Sequence, residues 1–187
     1  MEDGKIVELY WQRDERAIEE SDKKYGAYCR TVANNILQND SDAQECVNDT
    51  YLCAWNAIPP EKPSVLSTFL GKLTRRISID RFRRRGAGKR GGGTLAAALD
   101  ELDECVSSTE ETPESALDKK LLAEVMDSFV SSLKDDEMRV FVRRYWYVEQ
   151  IEKIAHDCGF TQSKVKSMLS RTRAKLRERL CEEGFLQ

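Results

Sequence analysis

The 187-residue chain has one histidine, four prolines and no CxxC pair among its six cysteines. A zinc site recognisable by spacing needs paired Cys or His ligands, so no metal is expected. Thiols scattered at 29, 46, 53, 105, 158 and 181 fit a reducing cytosol better than a disulfide framework, and a cytoplasmic location is the expectation. No apolar run approaches the ~20 residues that span a bilayer. The start MEDGKIVELYWQRDERAIEE is acidic and lacks the apolar core of a signal peptide. A Gly-rich phosphate loop and a nucleophile elbow are also missing, and the carboxylates fall in strips or in one acidic stretch. His156 stands late in a short helical segment, where a surface or partly packed role is the ordinary one. Neither a catalytic centre nor a cofactor is expected. Alternation of apolar and polar residues bounded by hairpin turns is absent too, which argues against a sheet.

What breakers there are lie together. Five of the ten glycines fall within 86–93, and three of the four prolines within 59–63. The remainder favours helix, so the expected fold is all-α: two small helical domains, 1–85 and 113–187, joined by a flexible Gly-rich and acidic linker at 86–112. A helical turn at 95–104 fits within that linker. Each half suits one modest core of three or four helices.

Tyr25, Cys29, Val32 and Ile36 step by four, three and four, as one face of a helix does. Asn39-Asp40-Ser41 ends that helix, with Ser41 placed to cap the next. Val47, Tyr51, Ala54 and Ile58 repeat the step before Pro59-Pro60 stops it, since proline lacks the N–H donor. Beyond a loop at Pro60–Ser64, Leu66, Phe69, Leu70, Leu73 and Ile77 form a third stripe that runs into Arg81–Arg85. In the second half Thr112-Pro113 reads as an N-cap and first helical residue, with Leu117, Leu121, Val125 and Phe129 on one face. Helices at about 135–147, 149–157 and 162–182 follow.

The formal net charge of −3 conceals strong segregation. Residues 72–90 carry nine bases and one acid (Asp80), 100–118 carry eight acids and no base, and 161–180 carry seven bases and one acid (Glu178). Such blocks face charged partners. The last one coincides with a helix-turn-helix register over Ile151–Ser170. Ala155 is small where two helices cross, Gly159 permits a left-handed turn, and Val165 closes the core, with Ile154, Phe160 and Leu169 adding apolar contacts. Thr161 can cap the second helix. At about 100° per residue, Val165, Met168, Leu169, Thr172, Leu176 and Leu180 share its inner side. Ser163, Ser167, Ser170 and Ala174 then point outward, flanked by Lys164, Lys166, Arg171 and Arg173. Lys and Arg pair with phosphates or guanine edges in the major groove, so this face suits DNA; a solvated cationic surface is the alternative.

A second motif, Asp42-Ala43-Gln44-Glu45-Cys46-Val47-Asn48-Asp49-Thr50-Tyr51-Leu52-Cys53-Ala54-Trp55, sets acids at 42, 45 and 49 in a strip. With Leu52 and Trp55 it could dock on an Arg-rich partner or simply face solvent. In this order and spacing the chain resembles a bacterial RNA polymerase sigma factor of the sigma-70 family, in the small two-domain extracytoplasmic-function (ECF) group. The resemblance implies a promoter-specificity subunit whose partners are core RNA polymerase and promoter DNA, and it allows an anti-sigma factor. It assigns core-polymerase binding to Asp42, Glu45, Asp49, Leu52 and Trp55. The segment Phe69–Arg85 is similar to the helix that meets the −10 element, which implies −10 contacts for Lys62, Ser64, Lys72, Arg75, Arg76, Asp80, Arg81 and Arg84. It further implies that the loop Pro60–Leu66 and nearby helix ends capture a flipped −10 base from the non-template strand. Residues 117–182 are similar to sigma domain 4, which implies −35 contacts for Gln162, Ser163, Lys164, Lys166, Ser167, Ser170, Arg171 and Arg173. The acidic linker would thread the polymerase cleft. Departures are Arg76, where many relatives have Asn, and Met168, where Arg or Lys is common. The residues taken alone also fit a stand-alone helix-turn-helix transcription regulator with an N-terminal interaction domain.

Overall fold

The computed structural model describes residues 1–86, 94–106 and 116–185, with the side chains of 86, 103–106 and 116–120 left aside. All regular structure among the described residues is helical: α1 (Asp3–Trp11), α2 (Arg16–Leu37), α3 (Asp40–Ala57), α4 (Leu66–Gly86), α5 (Thr94–Val106), α6 (Ala116–Ser132), α7 (Asp135–Tyr145), α8 (Ile151–Cys158) and α9 (Gln162–Glu182). They divide into two compact units, Met1–Gly93 and Thr94–Gln187.

In the first unit α2, α3 and α4 pack against one another and α1 lies on α2. The predicted stripes supply the core: Cys29, Val32 and Ile36 from α2, Val47, Tyr51, Ala54 and Ile58 from α3, Leu66, Leu70 and Leu73 from α4. Tyr25 is only half-buried, and its hydroxyl donates to Asp3 at 2.5 Å. Three hydrogen bonds join hydroxyls inside, as burial favours: Tyr51 to Asp22 at 3.0 Å, Tyr10 to Ser21 at 3.0 Å and Thr50 to Thr74 at 3.1 Å; the equally buried Ser78 hydroxyl has no such partner among the described residues. Gly71 lets α2 cross α4, because a Cβ there would stand 2.2 Å from the Tyr28 hydroxyl. The cap of α3 is Asn39, whose side chain accepts from the Asp42 N–H; Ser41, the expected cap, is the second residue of the helix. Ile58 is extended, as a residue before proline prefers, and α3 stops at Ala57.

The second unit holds α5 to α9 around Phe129, Leu133, Val140, Phe141, Tyr145, Ile154, Val165, Met168, Leu169, Leu176 and Leu180. Phe141 meets Phe129 edge-on, with centroids 5.8 Å apart, and packs on Tyr145 at 4.7 Å. Two expectations change here. The segment read as linker contains α5, a 13-residue helix rather than one turn, and its Leu95 and Ala98 are buried in the second unit. Among the described side chains of the stripe expected from 117 to 129, only Phe129 is fully buried. Val125 is half-buried and Leu121 is 44% exposed; among the described side chains, α6 meets the core from Val125 onward. Thr112-Pro113 and the remainder of the acidic stretch from 107 to 115 lie outside the described residues.

Candidate nucleic-acid interface

The turn between α8 and α9 sets the geometry. Gly159 ends α8 with φ +68°, the left-handed conformation glycine adopts without steric cost. Thr161 caps α9 by accepting from the Lys164 N–H at 3.2 Å. The Lys164 ammonium rests 3.6 Å from the centroid of the Phe160 ring, a cation–π contact that fixes its stem while leaving the residue exposed. The inner face of α9 is Val165, Met168, Leu169, Thr172, Leu176 and Leu180, all buried. Met168 therefore packs inward rather than toward a ligand.

Turning those residues inward presents Gln162, Ser163, Lys164, Lys166, Ser167, Ser170 and Arg171 to solvent. Lys166, Ser167, Ser170 and Arg171 line one shallow hollow. Arg171 donates Nε to the Ser167 carbonyl at 3.2 Å and stays exposed. Small hydroxyls flanked by cations, with no acid among them, permit close approach of a polyanion. Arg173 differs: it is half-buried and donates to Tyr145 Oη at 2.9 Å beside Glu101.

Behind α9 an ionic brace holds α8. Arg143 of α7 pairs with Glu149 at 2.5 Å and with Asp157, and Lys153 reaches Glu149 at 3.0 Å and Asp157 at 3.2 Å. The His156, Arg143 and Lys153 contacts hold the Asp157 carboxyl well below the usual range, and Glu149 above all raises Arg143. These charges tie α8 to α7 and to the connection between them.

In the first unit Lys72, Arg76 and Arg83 share an exposed face of α4, with Asp80 and Arg84 beside it, and Lys62 and Ser64 stand exposed on the preceding loop. Arg75 is half-buried, and burial pulls its guanidinium below the ordinary range. Arg81 points the other way, toward α3. It contacts Asp42 at 3.0 Å and also Glu45, and Arg85 joins it on Asp42. Two groups expected to serve different ligands are therefore paired with each other, and Asp42 and Glu45 tie α3 to α4. Open on α3, besides Glu45, whose side chain stays 59% exposed, are Asp49, Leu52, which is 58% exposed, and half-buried Trp55. Trp55 is steadied by Arg13, whose guanidinium lies 5.4 Å from its ring centroid and donates to its carbonyl. Leu52 and Trp55 also line a groove against α2 with Ile18, Glu15, Glu19 and Asp22. Sequence spacing identified Leu52 and Trp55 but not Arg13, 42 residues away, which no local pattern links to them.

Helix-turn-helix geometry with an outer face of cations and small hydroxyls, and no carboxylate from 162 to 171, is of the kind that suits a nucleic acid. The model of the ECF sigma factor family matches residues 37–182, most of the chain, and the chain belongs to that family of transcription initiation factors. Among solved structures it is similar to CnrH in complex with the cytosolic domain of CnrY, at 17% identity over 97% of this chain and 99% of that one, with a TM-score of 0.43. No curated protein matches. Among the described residues no helix is long and apolar enough to cross a membrane, and no group of His, Cys, Asp or Glu could hold a metal ion.

Proposed function

We propose that this sigma factor binds core RNA polymerase through the Asp49, Leu52 and Trp55 face of α3, reads −35 duplex DNA through α9, and opens the −10 region with α4 and the loop before it. The observation that carries the reading is the outer face of α9, where Lys164, Lys166 and Arg171 surround small hydroxyls and no carboxylate intervenes. On a major groove these cations neutralise phosphates and can donate to guanine, while Gln162 and the serines admit the close approach base reading requires. In the first unit, exposed Lys62 and Ser64 with Lys72, Arg76 and Arg84 offer cations to a single strand beside the loop. Trapping an unstacked base there favours strand opening without ATP, because the melted state alone gains the contact. Arg81 supports this indirectly, by holding α4 on α3.

Run-off transcription with core polymerase and the full chain tests the reading. Lys166→Ala combined with Arg171→Ala should reduce −35-dependent initiation at least tenfold while leaving polymerase association intact. Loss of polymerase association in that variant would refute the assignment. Binding to duplex operator DNA alone, with no promoter-dependent transcription, would indicate a stand-alone regulator instead.

A further inference from the structure

One cation of the recognition helix is already engaged inside the second unit. Arg173 stands two turns beyond Lys166 on the same flank of α9, with its Nη1 3.4 Å from Glu101 Oε2. Glu101 belongs to α5, which Leu95 and Ala98 anchor at 1% and 2% exposure. The same carboxylate accepts from Arg144 Nη2 at 2.6 Å, from Arg144 Nε at 3.3 Å and from the Tyr145 hydroxyl at 2.9 Å. Arg144 is only 3% exposed and its remaining contact is the Glu149 carbonyl at 3.0 Å, so Glu101 is the counter-charge of a buried guanidinium. Burial raises the Tyr145 phenol, which keeps it a hydroxyl able to donate to Glu101 while accepting from Arg173. One carboxylate therefore joins α5, α7 and α9, and it stands between two guanidiniums that would otherwise repel.

We infer that Glu101 is a positioning residue for DNA contact, occupying Arg173 in place of a phosphate and so withholding that cation from the duplex while fixing α9 against α7. This rests on the reading of α9 as the DNA-facing helix. Two effects of opposite sign follow from removing the charge. The second unit loses the counter-charge of Arg144 and becomes less stable, because a buried ion without its partner is costly. Arg173, released, can reach phosphate and displace one more counterion, which steepens the log–log salt dependence of DNA binding by about 0.9. A residue that merely held the fold would lower stability and DNA affinity together.

The test uses the full chain: fluorescence anisotropy on a labelled duplex across a salt series, with thermal melting in the absence of DNA. Glu101→Gln should melt lower yet bind with a slope steeper by about 0.9, and Glu101→Asp should keep the shallower slope. Arg173→Ala alone should leave the slope unchanged, and added to Glu101→Gln it should abolish the gain. A slope that Glu101→Gln leaves unchanged or flattens overturns the inference, as does flattening by Arg173→Ala alone. Lys166→Ala with Arg171→Ala separates the two levels of failure. If that pair does not flatten the slope, α9 is not the DNA-facing helix; if it does and Glu101→Gln changes nothing, only the role of Glu101 falls.

Discussion

Replacing Asp42 by alanine removes the carboxylate on which Arg81 and Arg85 converge between α3 and α4. The side chain of Asp42 is 18% exposed and that of Arg81 29%, so their 3.0 Å contact is a partly buried, charge-assisted bond. Such a bond contributes about 1–1.5 kcal/mol once its exposed portion is discounted. The Arg85 side chain is 55% exposed, and its share is about 0.5 kcal/mol or less. Asp42 also sits in the first turn of α3, where a negative charge adds about 0.3 kcal/mol or more against the helix dipole. The expected loss is about 2 kcal/mol, a shift of about 1 M in the urea midpoint at a slope of about 2 kcal/mol per M. Tryptophan fluorescence of the full chain reads it cleanly in a Trp146→Phe background, which confines the signal to Trp11 and Trp55 of the first unit. Polymerase affinity should change little. The companion Asp49→Lys alters an exposed position on the open face of α3, so stability should stay within about 0.5 kcal/mol while polymerase association falls at least tenfold. If Asp42→Ala keeps the urea midpoint but weakens association as much as Asp49→Lys, the α3–α4 ion cluster does not hold the unit together, and Asp42 faces the polymerase.

Gly159→Ala places a Cβ in open space but at φ +68°, so its cost of about 1 kcal/mol is purely conformational. Melting of the second unit should fall by about 4–8 °C, and by more for β-branched Gly159→Val; equal melting of all three would show that the turn tolerates side chains. Asp157 is held below its ordinary range by His156, Arg143 and Lys153, so its deprotonated form favours the folded state. That stability is fully present above the unfolded value near ~3.9 and is lost as pH falls through the lower folded one. The melting difference between wild type and Asp157→Asn should shrink as pH falls below about 4, whereas a difference that grows from about pH 4 downward would contradict the assigned direction.

The inner face of α9 was legible because six apolar or small positions at helical spacing leave one solution, and the cap and the glycine turn are local signals of the same kind. The stripes of α3 and α4 were legible for that reason too. Pairings between charged residues were not. Asp42 and Arg85 stand 43 positions apart, and a strip of acids looks the same whether it meets solvent, a partner or a neighbouring helix. The helix α5 was hidden differently: its acids suited a soluble tether, and only the burial of Leu95 and Ala98 assigns it to the second unit. Leu121 fitted a helical face but is 44% exposed.

Glu101 and Arg173 are 72 residues apart and stand near the two ends of the second unit's sequence. During synthesis α5 emerges first and α9 last, so Arg144 has no carboxylate from α5 to meet until that helix has folded back on α7. The unit therefore closes like a clasp, one carboxylate near its start meeting guanidiniums from its middle and its end. A fragment beginning at residue 113 would lack the first half of the clasp, and its guanidinium would fold into apolar surroundings with only a carbonyl to receive it.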